Sequence, residues 1–270
     1  MNRLVISILF VVLYTSSCTH KQSHTENGKN TLVNQATHFD EIIFSTSECM
    51  IPCPMTNIII SADGLVVFKG QGNSAKIGLY SGKISKELYQ QIEKNFEKAN
   101  IDGIKNRYQT LLSDQRTVST TFVKNGRIYK TVYDYGEIAP KSFQSSYEPL
   151  ENLYKTLNLT KDPVPKLIPL FDEITTAKLK KGNMVFDLTQ SETFLLTNYL
   201  RKGKLTINNF LPCFTLHFDY GAINPLYNVD TDGRFFKFLV KSKPVIIDIG
   251  FNFYDVNAKN WQWRKATKFD

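Results

Sequence analysis

The chain has 270 residues, 42% hydrophobic, 13% aromatic and 21% charged, which excludes a disordered or fibrous protein and leaves room for two domains of ordinary size. Its 33 Lys and Arg against 25 Asp and Glu give a net charge of +8. These cations are scattered among acids along the whole chain, so the charge argues for solubility and against a nucleic-acid groove.

The first residues suggest a compartment. Arg3 supplies a positive start, residues 4–13 an apolar run too short to span a bilayer, and Tyr14-Thr15-Ser16-Ser17-Cys18 a small-residue cleavage pattern that ends in cysteine. This resembles the lipobox of bacterial lipoproteins, with Thr15 where leucine is usual. The resemblance implies a signal peptide over 1–17 and lipid chains on Cys18, each buried methylene adding about 0.8 kcal/mol of membrane affinity. Cys18 is therefore the expected lipidation site. No aspartate follows it directly, and by resemblance to lipoprotein sorting this favours the outer membrane. Residues 18–37 are polar and read as a flexible tether, with His20 and His24 as solvated side chains and not metal ligands.

The first domain is expected over 38–160. Residues 39–44 read as a short strand leading into a loop with Cys49 and Cys53, where Pro52 and Pro54 forbid regular structure. Residues 57–61 and 65–69 flank Ala62-Asp63-Gly64, a hairpin signal, and a strand over 76–80 follows a loop at 70–73. Ser85 is a candidate N-cap for a helix reaching Ala99, with Leu88, Ile92 and Phe96 on its apolar face. Residues 101–114 are irregular. Strands at 118–123 and 129–133 flank Asn125-Gly126, and a second helix over 141–157 follows Pro140.

Cys49, Cys53-Pro54, Asp63-Gly64, Phe68, Gly70, Gly78, Tyr80, Tyr108, Asp114, Asp134-Tyr135 and Pro140 together resemble an uncharacterised domain family of bacterial lipoproteins. That family's pattern is C-x-G-x-C-P-x-Y followed by an apolar strand and D-G, and the resemblance covers residues 38–159. Ile51 stands where its glycine is usual and Thr56 where its tyrosine is. The resemblance implies a fold unit and no activity.

Residues 161–169 hold three prolines and read as a linker to a second domain over 170–270. There, strands at 175–180 and 184–188 flank Gly182-Asn183, and Ser191 is a candidate cap for a helix to Lys202, with Phe194, Leu195 and Tyr199 inward and Gly203 as the stop. Strands follow at 213–219, 226–229, 235–240 and 245–254. The fold class is α+β: two domains, each a mainly antiparallel sheet with one or two packed helices.

Cys49 and Cys53 carry the most chemistry. In an oxidising space a C-x3-C pair in a proline-bent loop favours a local disulfide, with free thiols, metal ligation and redox exchange as the alternatives. Thioredoxin-type exchange uses C-x2-C at a helix start, and here a strand follows. Cys213 and His217 echo the spacing, but four residues along a strand put them about 13 Å apart, too far for one zinc ion, so Cys213 reads as a small buried hydrophobe. Residues 228–233 begin like a calcium loop, yet Leu239 stands where the bidentate glutamate belongs, and a hairpin turn explains Asp232-Gly233. Trp261 and Trp263 share one face of a strand, either packed on the body of the domain or free to bind a sugar or peptide.

Nucleophile elbows, H-E-x-x-H and phosphate or dinucleotide loops are missing from the sequence, and only His38 and His217 remain as general bases beyond the tether. The expectation is a non-enzymatic, lipid-anchored binding or structural module. Its partners are the membrane, through Cys18, and a protein or glycan, with no nucleic acid, metal or other cofactor. The alternative is an envelope hydrolase with a site assembled between the domains.

Overall fold

Apolar alternation dominates the chain after the tether, and two β-sheets result. The computed structural model describes residues 39–49, 53–163, 174–219, 227–254 and 262–267. The signal peptide, Cys18, the tether, His38, Ile51, Pro52, most of the proposed linker and Trp261 lie outside them.

The first sheet contains β1 (Glu41–Thr46), β2 (Pro54–Ser61), β3 (Leu65–Gly72), β4 (Gly78–Lys83), β5 (Arg107–Gln109), β6 (Thr117–Lys124), β7 (Arg127–Tyr135) and β8 (Thr160–Lys161). Their order is β5-β7-β6-β1-β2-β3-β4-β8. Two helices belong with it: α1 (Lys86–Lys98) and α2 (Lys141–Thr156). The second sheet contains β9 (Thr176–Lys181), β10 (Met184–Leu188), β11 (Lys204–Thr206), β12 (Phe214–Asp219), β13 (Tyr227–Thr231), β14 (Phe235–Val240), β15 (Lys243–Asp248) and β16 (Arg264–Lys265). Its order is β11-β15-β14-β13-β12-β9-β10-β16, and α3 (Gln190–Lys202) follows β10. All pairings are antiparallel except β5 with β7. This is the α+β architecture that the alternation implies.

The hairpins at 62–64, 125–126 and 182–183 fall where the Gly-containing turns place them. Gly64 illustrates the reason: its φ is +82°, and a Cβ there would lie 2.6 Å from the Ile84 carbonyl oxygen. Three boundaries differ from the sequence expectation. β3 runs on through Gly70 to Gly72 in register with β2, where a loop was expected. The last long strand stops at Asp248, and the chain turns at Gly250 with φ +87°. The short parallel strand β5 sits in the stretch that looked irregular, because its three residues show no period of their own.

Strand alternation sends residues of β1 to two different cores. Ile42 and Phe44 face α1 and α2, joining Phe68, Phe96, Phe122, Phe143, Tyr147 and Tyr154. Ile43 faces the other way, with Ile59 and Val123, onto Leu195, Leu196 and Leu200 of α3 and then onto Leu179, Leu216, Phe236 and Phe238 of the second sheet. Helix α3 is thus sandwiched between the sheets. Residues 191–198 are all buried, including Ser191, Thr193, Thr197 and Asn198. The two sheet-rich parts share one core. Among the described residues no helix is long and apolar enough to cross a membrane.

The start of α3 also differs from expectation. Its N-cap is Thr189, not Ser191: the Thr189 hydroxyl accepts from Glu192 N, and the Glu192 carboxylate accepts from Thr189 N, forming a capping box. Ser191 is inside the helix, where its hydroxyl meets Thr121 Oγ1 at 2.8 Å and its N–H donates to Ser119 Oγ at 3.1 Å. By contrast Ser85 caps α1 as its position suggests, accepting from Leu88 N.

Candidate functional site

The chain leaves the first sheet at Ser47, and a reciprocal pair of bonds fixes the exit. Ser47 N donates to the Thr117 carbonyl and Thr117 N to the Ser47 hydroxyl, each at 2.9 Å. Cys49 and Cys53 are joined in a disulfide with their Cα atoms 5.5 Å apart. Pro54, which has no N–H to leave unpaired, then opens β2. Inside the loop the Thr46 hydroxyl donates to the Pro54 carbonyl at 2.8 Å, meets Thr56 Oγ1 at 3.0 Å and accepts from Thr56 N. Thr56 is 4% exposed. It locks β1 to β2 and offers nothing to the surface.

The facing wall comes from sequence far away. Asp114 has φ +56°, and Gln115 N donates to the Tyr135 hydroxyl at 3.1 Å. That leaves the phenol proton for another acceptor. Between these walls opens a cleft of about 490 Å3, lined by Ser47, Glu48, Cys49, Asp114, Gln115, Thr117 and Tyr135. Glu48 stands over Gly72, whose φ is +53° and whose hypothetical Cβ would lie 2.6 Å from Glu48 Oε1. A side chain there would displace the Glu48 carboxylate.

The charge of the cleft is negative. Glu48 and Asp114 form no ion pair among the described residues, and the nearby Arg116 is spent on Glu137 and Glu151, at 3.0 Å each. Asp134, next to Tyr135, is wholly buried; its carboxylate takes Ile138 N at 2.9 Å and Ala139 N at 3.1 Å. Burial raises its pKa, and it holds the turn before α2. Chemically the cleft offers two carboxylates, a phenol donor and the Gln115 amide. Among the described lining residues no carboxylate or imidazole takes a proton from a hydroxyl.

Leu111 is fully exposed and Leu112 two-thirds exposed on the segment that enters this wall, and Ile138 is half exposed on the segment that leaves it. These are exposed apolar side chains, close in sequence to Asp114 and Tyr135, that the fold does not bury.

The other residues singled out from sequence lie elsewhere, in the second sheet. Trp263 packs on Phe186 and Phe214, with ring centroids 6.1 Å from each, and is half-buried. It packs at the core margin, and Trp261, its expected neighbour on the same face, lies outside the described residues. Cys213 precedes β12 and is partly exposed, unlike the buried hydrophobe expected; its N–H donates to the Thr231 carbonyl. His217 lies within β12 opposite Lys178 and Asn228, and burial pushes its pKa down. Residues 228–231 belong to β13, and Asp232 Oδ1 accepts from Arg234 N and Phe235 N, which caps the turn at 232–234 between β13 and β14. Of the cleft residues, Cys49, Asp114 and Tyr135 were legible as landmarks of the resemblance, whereas Ser47, Glu48 and Gln115 carried no signal.

Residues 40–154 match the family model of a domain of unknown function, DUF6438, which is under half of the chain and runs from the residue before β1 into α2. No curated protein and no solved structure matches the chain.

Proposed function

We propose that this protein is a lipid-anchored module of the cell envelope that binds a protein partner through the cleft beside Cys49. The anchor is Cys18, the polar stretch 18–37 is the tether, and the outer membrane is the destination. The Cys49–Cys53 disulfide supports an oxidising compartment, because such bonds persist outside the cytosol. The role is binding and not catalysis.

The observation that carries the reading is the presence of two carboxylates with no ion pair among the described residues, near exposed leucines. Glu48 and Asp114 suit a Lys or Arg side chain, and the exposed Leu111, Leu112 and Ile138, three residues or fewer from Asp114 or Tyr135 in the chain, are available for apolar contact. An open cleft near exposed apolar side chains fits a protein segment better than a small molecule.

The test is crosslinking and copurification of the tagged full chain from membranes, with Leu111→Glu and Asp114→Lys against a Leu205→Glu control on the second sheet. The expected result is a partner lost from the first two variants and kept in the control, with Cys18→Ala releasing the protein from the membrane fraction. Retention of every partner by Asp114→Lys and Leu111→Glu would overturn the reading.

A further inference from the structure

A second cleft, independent of the first, opens between the first sheet and the end of α3. It has a volume of about 310 Å3, in the lower range for small-molecule sites. Its sheet side is apolar, with Val67 half-buried and Leu79 buried, and Ser61 and Ser81 at its edges. The helix side is different. Asn198, Arg201 and Lys202 follow the i, i+3, i+4 spacing that puts three side chains on one face, and all three line the cleft.

Asn198 is the informative one. It is only 4% exposed, and its Nδ2 donor has no hydrogen-bond acceptor among the described residues. Buried amide donors are normally satisfied, and one facing a cleft is satisfied by whatever enters. The groups beside it are cations, so the missing partner is an acceptor with negative charge. Apolar side chains on the opposite wall require that this charge be attached to an apolar body.

Two carboxylates bear on where the charge can sit. Asp162 lies at the far edge, with Oδ1 accepting from the Ser81 hydroxyl at 2.6 Å. Glu41 lies behind Ser61 and accepts from Tyr199 Oη at 2.9 Å. Asp162 disfavours an anion at its own edge of the cleft, whereas Glu41, whose charge couples to Lys202, lies outside the lining.

We propose that this cleft binds a small organic anion, a carboxylate on a short alkyl chain, with its head on Asn198 Nδ2 and the α3 cations and its chain on Val67 and Leu79. The size, the unpartnered donor and the division into a cationic and an apolar wall all follow from one arrangement, the end of α3 laid against the open face of β3 and β4.

The experiment titrates sodium octanoate into the full chain held in lipid nanodiscs, followed by calorimetry, with empty nanodiscs as the blank. Saturable one-to-one binding is expected, at least fivefold tighter than for acetate, octanol or octylammonium. Asn198→Leu and the exposed Lys202→Glu should each weaken octanoate at least fivefold with circular dichroism unchanged. Equal binding of octanol and octanoate would overturn the proposal, since the head group would then contribute nothing. So would wild-type affinity in Lys202→Glu, which tests the site even if Asn198→Leu fails to fold.

Discussion

The two faces of the first sheet are built from the same strands and held by different physics. Toward α1 and α2 the face is dry and aromatic: Phe122 sits 4.9 Å from Phe39 and 5.0 Å from Phe96 between ring centroids, and Phe68 stacks on Tyr154 at 4.3 Å. Toward α3 it mixes aliphatic residues with buried Ser45, Asn57, Lys69, Ser119 and Thr121. There Gln190 Nε2 donates to the Thr46 carbonyl at 3.0 Å and to Asn57 Oδ1 at 3.1 Å, and Lys69 Nζ donates to the Ile174 carbonyl at 2.7 Å. An aromatic face gains in proportion to area and tolerates small shifts. A buried polar face gains little net energy but loses much when one partner goes, so it specifies a single docking of α3.

The largest effect that tests this contrast is Phe122→Ala. Its ring is fully buried between two others, and truncation should cost about 3–5 kcal/mol in denaturant unfolding. A cost near that of a surface substitution would show that the aromatic face is not the main store of stability. Next comes Glu192, wholly buried, which accepts from Thr189 N and Oγ1 and from Thr131 Oγ1. Glu192→Ala removes the carboxylate half of the capping box and strands those donors, for an expected loss of about 2–3 kcal/mol.

Glu192→Gln separates charge from hydrogen bonding, because glutamine also completes a capping box. Burial raises the Glu192 pKa in the folded state. Its contribution is then fullest below the ordinary carboxylate value and is lost as pH rises toward the folded one. Relative to wild type, Glu192→Gln should become more stable as the pH goes from about 5 to about 8, read from urea midpoints. A constant difference would mean that the carboxylate is not desolvated.

The smallest effect is Thr121→Val, which keeps the shape but takes a hydroxyl from Thr131 and Ser191. The expected loss is about 1 kcal/mol, and it should shrink in a Ser191→Ala background.

The contrast also explains what could be read from sequence. Turns announced themselves because Gly64, Gly126 and Gly182 occupy conformations that few other residues adopt. The dry face was legible because Ile92 and Phe96 repeat at helical spacing. Helix α3 was misread at its start, and its far side gave no sign of burial: Ser191, Thr193, Thr197 and Asn198 have the composition of a solvated face. Their burial depends on a second sheet that no local pattern reveals. The same holds for the cleft at Cys49. Its cysteines are four positions apart, but Asp114 and Tyr135 reach it only through the pairing of β6 with β1 and β7.

The sandwiched position of α3 has a consequence for the order in which the chain becomes available. The first sheet is complete at Lys161, yet the helix that covers its second face begins at Gln190. A chain containing only the 40–154 portion would leave Ile43, Ile59 and Val123 facing water among unpaired hydroxyls. Any protein built on that portion alone must supply a substitute for α3, from its own chain or from another.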